Sequence, residues 1–197
     1  MLTLYHAPQS RSSRIIWLLE ELSASYDIVY VDIVRQDGSG GADPINPHPD
    51  KKVPALVHDD QLVTETVAIT HYLTELYPGS PIAPAPGMPG RGAYLSWLAY
   101  YGSTVETVLI LAMLGLGDRK ELVATFRTRA ELDARILKAL GEHAFILGDQ
   151  FSAVDILLAN MGHWMRPLMP EGELVDDYLK RCGDRPALRA ARDKDGR

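Results

Sequence analysis

Apolar and polar positions alternate through Leu2 to His6 (LTLYH) and then change rhythm. Ile15, Ile16, Leu18, Leu19 and Leu22 recur at helical spacing, predicting a strand followed by a helix over Ser12 to Leu22. The stretch Tyr26 to Ile33 (YDIVYVDI) is rich in β-branched and aromatic residues and predicts a second strand. Together these form a βαβ unit, whose strands run parallel through a right-handed crossover. Gly, Asp and Pro crowd Asp37 to Asp50, which reads as a loop with one irregular helical turn. Strands at Val53 to His58 and Gln61 to Thr64 then pair antiparallel around Asp59-Asp60. From Glu65 onward Ile69, Tyr72, Leu73 and Leu76 mark an amphipathic helix that ends at Pro78.

The clearest boundary is Pro78 to Gly90 (PGSPIAPAPGMPG), where five prolines and three glycines in thirteen residues exclude regular structure and read as a linker. Beyond it the pattern is helical only: Arg91 to Leu114, Asp118 to Ala144, Ala153 to Trp164, Glu173 to Arg181 and Pro186 to Arg192. The expected architecture is an α/β domain over residues 1–77, a linker over 78–90 and an all-α domain over 91–197. One helix start is unusually well specified. Ser152 stands at the N-cap with Asp155 at the third helical position, and Phe151 and Ile156 are spaced as a hydrophobic staple. The apolar run that follows predicts a buried central helix, so this Ser and Asp are read as structural.

Composition narrows the chemistry. With 197 residues and 46% hydrophobic content the chain can build a substantial core. A net charge of -6 argues against nucleic-acid or acidic-membrane partners, which need a basic surface. The start MLTLYHAPQ lacks the charged and apolar regions of a leader, and no apolar run approaches membrane-spanning length, so a cytoplasmic protein is expected. The single cysteine, Cys182, excludes an intramolecular disulfide and a Cys-based zinc cage; it lies in a late helix and is read as inert. The six histidines show no metal-ligand spacing, so no metal is expected.

Three stretches carry candidate chemistry. In YHAPQSRSSRIIWLLEEL a strand runs into Ser10, Arg11, Ser12, Ser13 and Arg14 at a helix start, where backbone N–H groups and the helix dipole favour an anion. From the residues alone, Ser10 is either a hydroxyl donor or an N-cap. In KKVPALV, Pro54 belongs at a strand's first positions or on an edge, with a cis Val53-Pro54 bond as the sharper alternative. In TETVAI, Glu65 and Thr66 start a helix and read as a cap.

The order and spacing of these stretches, with the proline-rich linker and the Ser-x-x-Asp cap, resemble the cytosolic glutathione transferase family over essentially the whole chain. The start most resembles the bacterial and fungal branch that uses an active-site serine. The resemblance implies a thioredoxin-like first domain with a cis proline at VPAL, a helical second domain and a homodimer. No cysteine stands at the start of the first helix, so the thiol is brought in by glutathione as co-substrate. Ser10 matches the catalytic serine, donating to the thiolate, with Tyr5, Ser12 and Ser13 as competitors. Arg11 is placed beside the thiolate or a glutathione carboxylate. Val53, before Pro54, presents its backbone to the cysteinyl part. Glu65 meets the γ-glutamyl ammonium and Thr66, where serine is usual, the neighbouring carboxylate. Lys52, or Lys51 in its place, reaches the glycyl carboxylate. The implied reaction is conjugation of glutathione to a hydrophobic electrophile, in the manner of detoxification enzymes. Glutathione-dependent peroxide or disulfide reduction is the alternative on the same site, and an interaction protein without turnover the alternative from another class. Tyr94, Trp97, Tyr100, Tyr101 and Trp164 are available to an electrophile pocket, although aromatics at helical spacing also serve as core.

Overall fold

The computed structural model describes residues 1–196. They form two compact units, one made of Met1–Tyr77 with the stretch from Arg185 onward, the other of Pro78–Asp184.

The first unit opens with β1 (Leu2–His6), α1 (Ser13–Glu21) and β2 (Tyr26–Tyr30), and continues through β3 (Ala55–His58), β4 (Gln61–Thr64) and α2 (Thr66–Leu76). The sheet order is β2-β1-β3-β4, with β1 parallel to β2 and antiparallel to β3, and β3 antiparallel to β4. Alternation in β1 sends Leu2, Leu4 and His6 inward, while α1 buries Ile15, Ile16, Trp17, Leu18 and Leu19. Strand β2 is shorter than the expected Tyr26 to Ile33. The Val31 N–H bonds to the carbonyl of His6, the last residue of β1, and beyond it the edge strand has no ladder partner. Strand β3 begins at Ala55 rather than Val53, because Pro54 has no N–H to give the ladder; the Val53-Pro54 bond is cis.

In the second unit α3 (Arg91–Tyr100) and α4 (Glu106–Met113) are joined by a π-helical stretch, Tyr101–Val105, where one continuous helix is expected. A second expected long helix, Asp118 to Ala144, is divided into α5 (Lys120–Phe126) and α6 (Arg129–Glu142). The chain breaks at Arg127, with φ +83°, and restarts on a capping box in which Thr128 Oγ1 accepts from Glu131 N at 3.2 Å and Thr128 N donates to the Glu131 carboxylate at 2.8 Å. Helix α7 (Ala153–Trp164) has the expected bounds and is buried over most of its faces. Gly162 lets α7 meet its neighbours closely, since a Cβ there would stand 2.7 Å from the Leu179 side chain and 2.8 Å from Met169. A 3-10 turn (Arg166–Leu168) and α8 (Glu173–Gly183) complete this unit.

The last helix, α9 (Pro186–Asp195), packs on α1, in the first unit, whereas the sequence division groups it with the helices that precede it. Arg185 holds the Glu21 carboxylate through two bonds of 2.6 and 2.7 Å, and Trp17 Nε1 donates to the same group at 3.0 Å. One turn away, Glu20 accepts from Lys194 and from the Tyr26 hydroxyl, each at 2.5 Å. Burial and this carboxylate push the Tyr26 hydroxyl well above its ordinary pKa.

Candidate active site

Strand register decides which candidates meet. Tyr5 pairs with Ala55, and Ala55 pairs with Thr64, so these three form one row across the sheet. Immediately past that row, at the same end of the sheet, lie the exit of β1 toward Ser10, the Val53-Pro54 entry to β3 and the Glu65-Thr66 start of α2. Segments separated by dozens of residues in sequence are therefore brought together by antiparallel pairing alone. Ala7, Val31 and Val53 form a small apolar cluster under this edge, with Tyr5, Val29 and Ile33 packed against it. Tyr5, within β1, packs against this cluster.

The loop from Ala7 to Ser12 has its own hydroxyl network. The half-buried Ser10 Oγ lies 2.7 Å from the Ala7 carbonyl oxygen and 2.7 Å from Ser12 Oγ, and accepts from Ser12 N at 3.2 Å. Ser12 is fully buried. It stands at the N-cap of α1 but makes no capping bond; its hydroxyl instead reaches His6 Nδ1 at 2.7 Å and accepts from Ala7 N at 3.2 Å. On the other side of the imidazole, His6 Nε2 lies 3.2 Å from the Asp195 carbonyl oxygen and 3.4 Å from its carboxylate. That carboxylate also accepts from Ser13 Oγ and from Gln9 N, so the end of α9 ties down the loop. Burial lowers the pKa of His6, with the Asp195 carbonyl and carboxylate pulling the other way. Ser13, the first residue of α1, is thus engaged by Asp195.

The remaining candidates fall as follows. Arg11 and Lys52 have exposed side chains. Lys51 is bound into its own loop, donating to the Asn46 carbonyl at 2.6 Å. Val53 and Pro54 are buried. Glu65 is exposed at the N-cap of α2 with φ +68° and ψ 125°, a backbone conformation that costs a non-glycine residue roughly 1–3 kcal/mol and persists where the surroundings enforce it. Neither Glu65 nor any other side chain caps α2, so its first-turn N–H groups are not taken up by a capping side chain. Thr66 is buried, and its carbonyl accepts from Thr70 Oγ1 at 2.7 Å. Sequence reasoning missed His6 and Asp195. The alternation of Leu2, Leu4 and His6 did signal an inward histidine, whereas nothing local to Asp195 connects it to the first loop.

Of the aromatic residues considered for a pocket, Tyr94, Trp97 and Tyr101 are core of the second unit, and Trp164 is exposed. Arg135 lies over the rings of Tyr100 and Trp97 at 3.8 and 4.7 Å. Among the described residues, no group of three or more His, Cys, Asp or Glu side chains is arranged to hold a metal ion. No helix among them is long and apolar enough to cross a membrane.

Two domain models match the chain: the glutathione S-transferase N-terminal domain over residues 1–75 and the corresponding C-terminal domain over residues 122–193. The chain belongs to the glutathione S-transferase family. It is 26% identical to glutathione S-transferase GstA of Escherichia coli O157:H7 over 198 residues, covering 98% of each chain. Among solved structures, a glutathione S-transferase from Actinobacillus pleuropneumoniae superposes with a TM-score of 0.81 at 26% identity, over 98% of this chain and 92% of that one. A sphingomonad glutathione S-transferase complexed with glutathione gives a TM-score of 0.78 at 29% identity, over 98% of both chains. The mixed four-stranded sheet with helices, followed by a helical unit, is the fold of these proteins.

Proposed function

We propose that this chain, a glutathione S-transferase by family and fold, binds glutathione at the sheet end described above, stabilises its thiolate at Ser10 and transfers it to an electrophilic carbon. The observation that carries this reading is the convergence of the Ser10 loop, Val53-Pro54 and the uncapped, strained Glu65 start of α2 on one end of the sheet. A relative with glutathione bound, similar over nearly its whole length, adds support.

In this reading the Ser10 hydroxyl donates to sulfur. A free thiol of pKa ~8.5 lowered by two units requires about 2.7 kcal/mol of preferential stabilisation of the charged form. A hydroxyl bond to an anion supplies roughly 1.5–3 kcal/mol and a helix terminus about 0.3–1 kcal/mol, so the two suffice together. Val53 offers its backbone N–H and carbonyl to the cysteinyl unit. Glu65 pairs with the γ-glutamyl ammonium, the Thr66 hydroxyl and α2 N–H groups with the adjacent carboxylate, and Lys52 with the glycyl carboxylate. Arg11 adds positive charge near the thiolate. The protein uses no nucleophile of its own and works by activating and positioning glutathione. The serine-type branch, a hydrophobic electrophile as second substrate, a homodimer and a cytoplasmic location complete the proposal.

The test is calorimetric titration of glutathione into the wild type and the Ser10→Ala and Glu65→Ala variants, with the bound-thiol pKa followed by ultraviolet absorbance of the thiolate. Weakened affinity in Glu65→Ala and a raised thiol pKa in Ser10→Ala are the expected results. Absence of wild-type binding at millimolar glutathione overturns the reading.

A further inference from the structure

The hydroxyl network behind Ser10 has a direction, set at its far end. His6 Nε2 faces two oxygens that carry no proton to give, the Asp195 carbonyl at 3.2 Å and its carboxylate at 3.4 Å. The nitrogen there must be the protonated one, which leaves His6 Nδ1 as a bare acceptor. The Ser12 hydroxyl, 2.7 Å away, gives its only proton to that nitrogen. Ser12 Oγ then has lone pairs alone to offer, filled by the Ala7 N–H at 3.2 Å and the Ser10 hydroxyl at 2.7 Å. The Ser10 proton has two acceptors at 2.7 Å, Ser12 Oγ and the Ala7 carbonyl oxygen. With the Ser12 proton committed to His6, only the Ser10 hydroxyl can supply a proton to the Ser10–Ser12 contact, so it is shared between the two and the path runs from Ser10 to Ser12 to His6. Ser10 is half-buried and faces the thiol in the reading above; Ser12 and His6 are fully buried.

We infer that His6 is the acceptor of the proton released when a thiol ionises at Ser10, reached through the Ser12 hydroxyl and held by Asp195. The inference rests on the reading of Ser10 as the thiolate's partner. The step balances as three proton shifts, one across the proposed thiol–Ser10 contact and two along the Ser10–Ser12 and Ser12–His6 hydrogen bonds. The thiol S–H bond breaks and its proton passes to Ser10 Oγ, the Ser10 proton passes to Ser12 Oγ, and the Ser12 proton passes to His6 Nδ1. The products are a thiolate, two intact hydroxyls and an imidazolium. The bonds now run outward, His6 to Ser12 to Ser10 to sulfur, so one event both removes the proton and turns the Ser10 hydroxyl toward the anion. Burial opposes the imidazolium more than any other influence, and the Asp195 carbonyl and carboxylate on Nε2 offset part of that cost. The titratable groups set against the imidazole are Asp195 from α9 and Tyr30 from β2, whose ring meets it edge-on at 5.6 Å and whose hydroxyl donates to the Lys194 carbonyl at 2.6 Å. The other buried acid network, Asp155 with Ser152 and Tyr178, has all three members buried and offers no comparable half-exposed hydroxyl.

The experiment is nitrogen NMR of the His6 ring in the full-length wild type, which needs no altered fold, with thiolate absorbance recorded on the same samples. Without glutathione at neutral pH the ring should be neutral with its proton on Nε2; saturated with glutathione, both nitrogens should be protonated as the thiolate appears. In Ser12→Ala, which keeps both ends of the path, the ring should stay neutral and the bound-thiol pKa should rise by about one unit, a tenfold loss of thiolate at a pH well below that pKa. A full thiolate signal with a neutral His6 overturns the relay. The Ser10→Ala variant separates the two failures: a raised thiol pKa there beside a neutral wild-type imidazole sinks the relay alone, and an unchanged thiol pKa sinks the Ser10 reading together with the relay.

Discussion

Two helix starts in this protein carry a serine followed three residues later by a polar side chain, Ser152 and Asp155 at α7 and Ser10 and Ser13 at α1, and use their hydroxyls in opposite ways. At α7 the pair is consumed as structure. The Asp155 carboxylate accepts from Ser152 N at 2.8 Å, Ser152 Oγ at 2.7 Å, Ile146 N at 3.0 Å and the Tyr178 hydroxyl at 3.2 Å, all buried. At α1 the N-cap serine leaves its own helix uncapped and turns to His6, while Ser10 stays half-buried. A fully satisfied helix terminus has nothing left to offer a ligand, whereas one whose hydroxyls bond backward keeps its N–H dipoles for an incoming anion.

Breaking the α7 start should have the largest effect. Asp155→Ala strands several buried donors and should cost about 3–4 kcal/mol in urea unfolding, without selective loss of glutathione affinity in the folded fraction. Asp155 also gives the comparison a pH signature. Burial raises its pKa in the folded state, against the pull of its hydrogen bonds. The folded protein therefore binds the proton more tightly, and stability conferred by this group, present below the ordinary value of 3.8, falls as pH rises through the higher folded value. Asp155→Asn should remove that slope from the difference between variant and wild-type unfolding curves.

Next in size, Ser10→Ala should leave stability within about 1 kcal/mol and raise the bound-thiol pKa by about one to two units, lowering kcat/KM roughly 10–100-fold at neutral pH. Glu65→Ala should weaken glutathione binding by about tenfold with the thiol pKa unchanged, as expected for a charge-assisted contact remote from sulfur. The smallest effect sharpens the comparison further. Glu65→Gly should relieve the left-handed backbone and stabilise the fold by about 0.5–1 kcal/mol in thermal melts while losing the same affinity, separating strain held for binding from strain required for folding.

Legibility in the sequence follows how far each signal reaches. The βαβ unit, the β3-β4 hairpin and the bounds of α7 were readable, because alternation, helical spacing and a capping pair all act within a few residues. The break between α5 and α6 was also written locally, in Thr128 and Glu131, and was passed over because apolar spacing continues across it. The π-helical stretch at Tyr101–Val105 has no such local mark. At the candidate site, Ser10, Val53 and Glu65 could each be proposed from motifs, and strand register now places them at one end of the sheet. His6 was visible as an inward position in β1 without a stated role. Its partner Asp195 lies 189 residues further on and becomes its neighbour only when α9 packs on α1.

That packing has a consequence for how the protein is made. The first unit is interrupted in sequence by the whole of the second, so a ribosome delivers the loop of Ser10 long before its anchor. During synthesis the sheet can pair early, but closure of α9 over α1 waits for more than a hundred intervening residues, and long-range closures of this kind form late. A nascent chain holds the hydroxyls with no Asp195 to fix the histidine proton, and gains the oriented network only when α9 has left the exit tunnel.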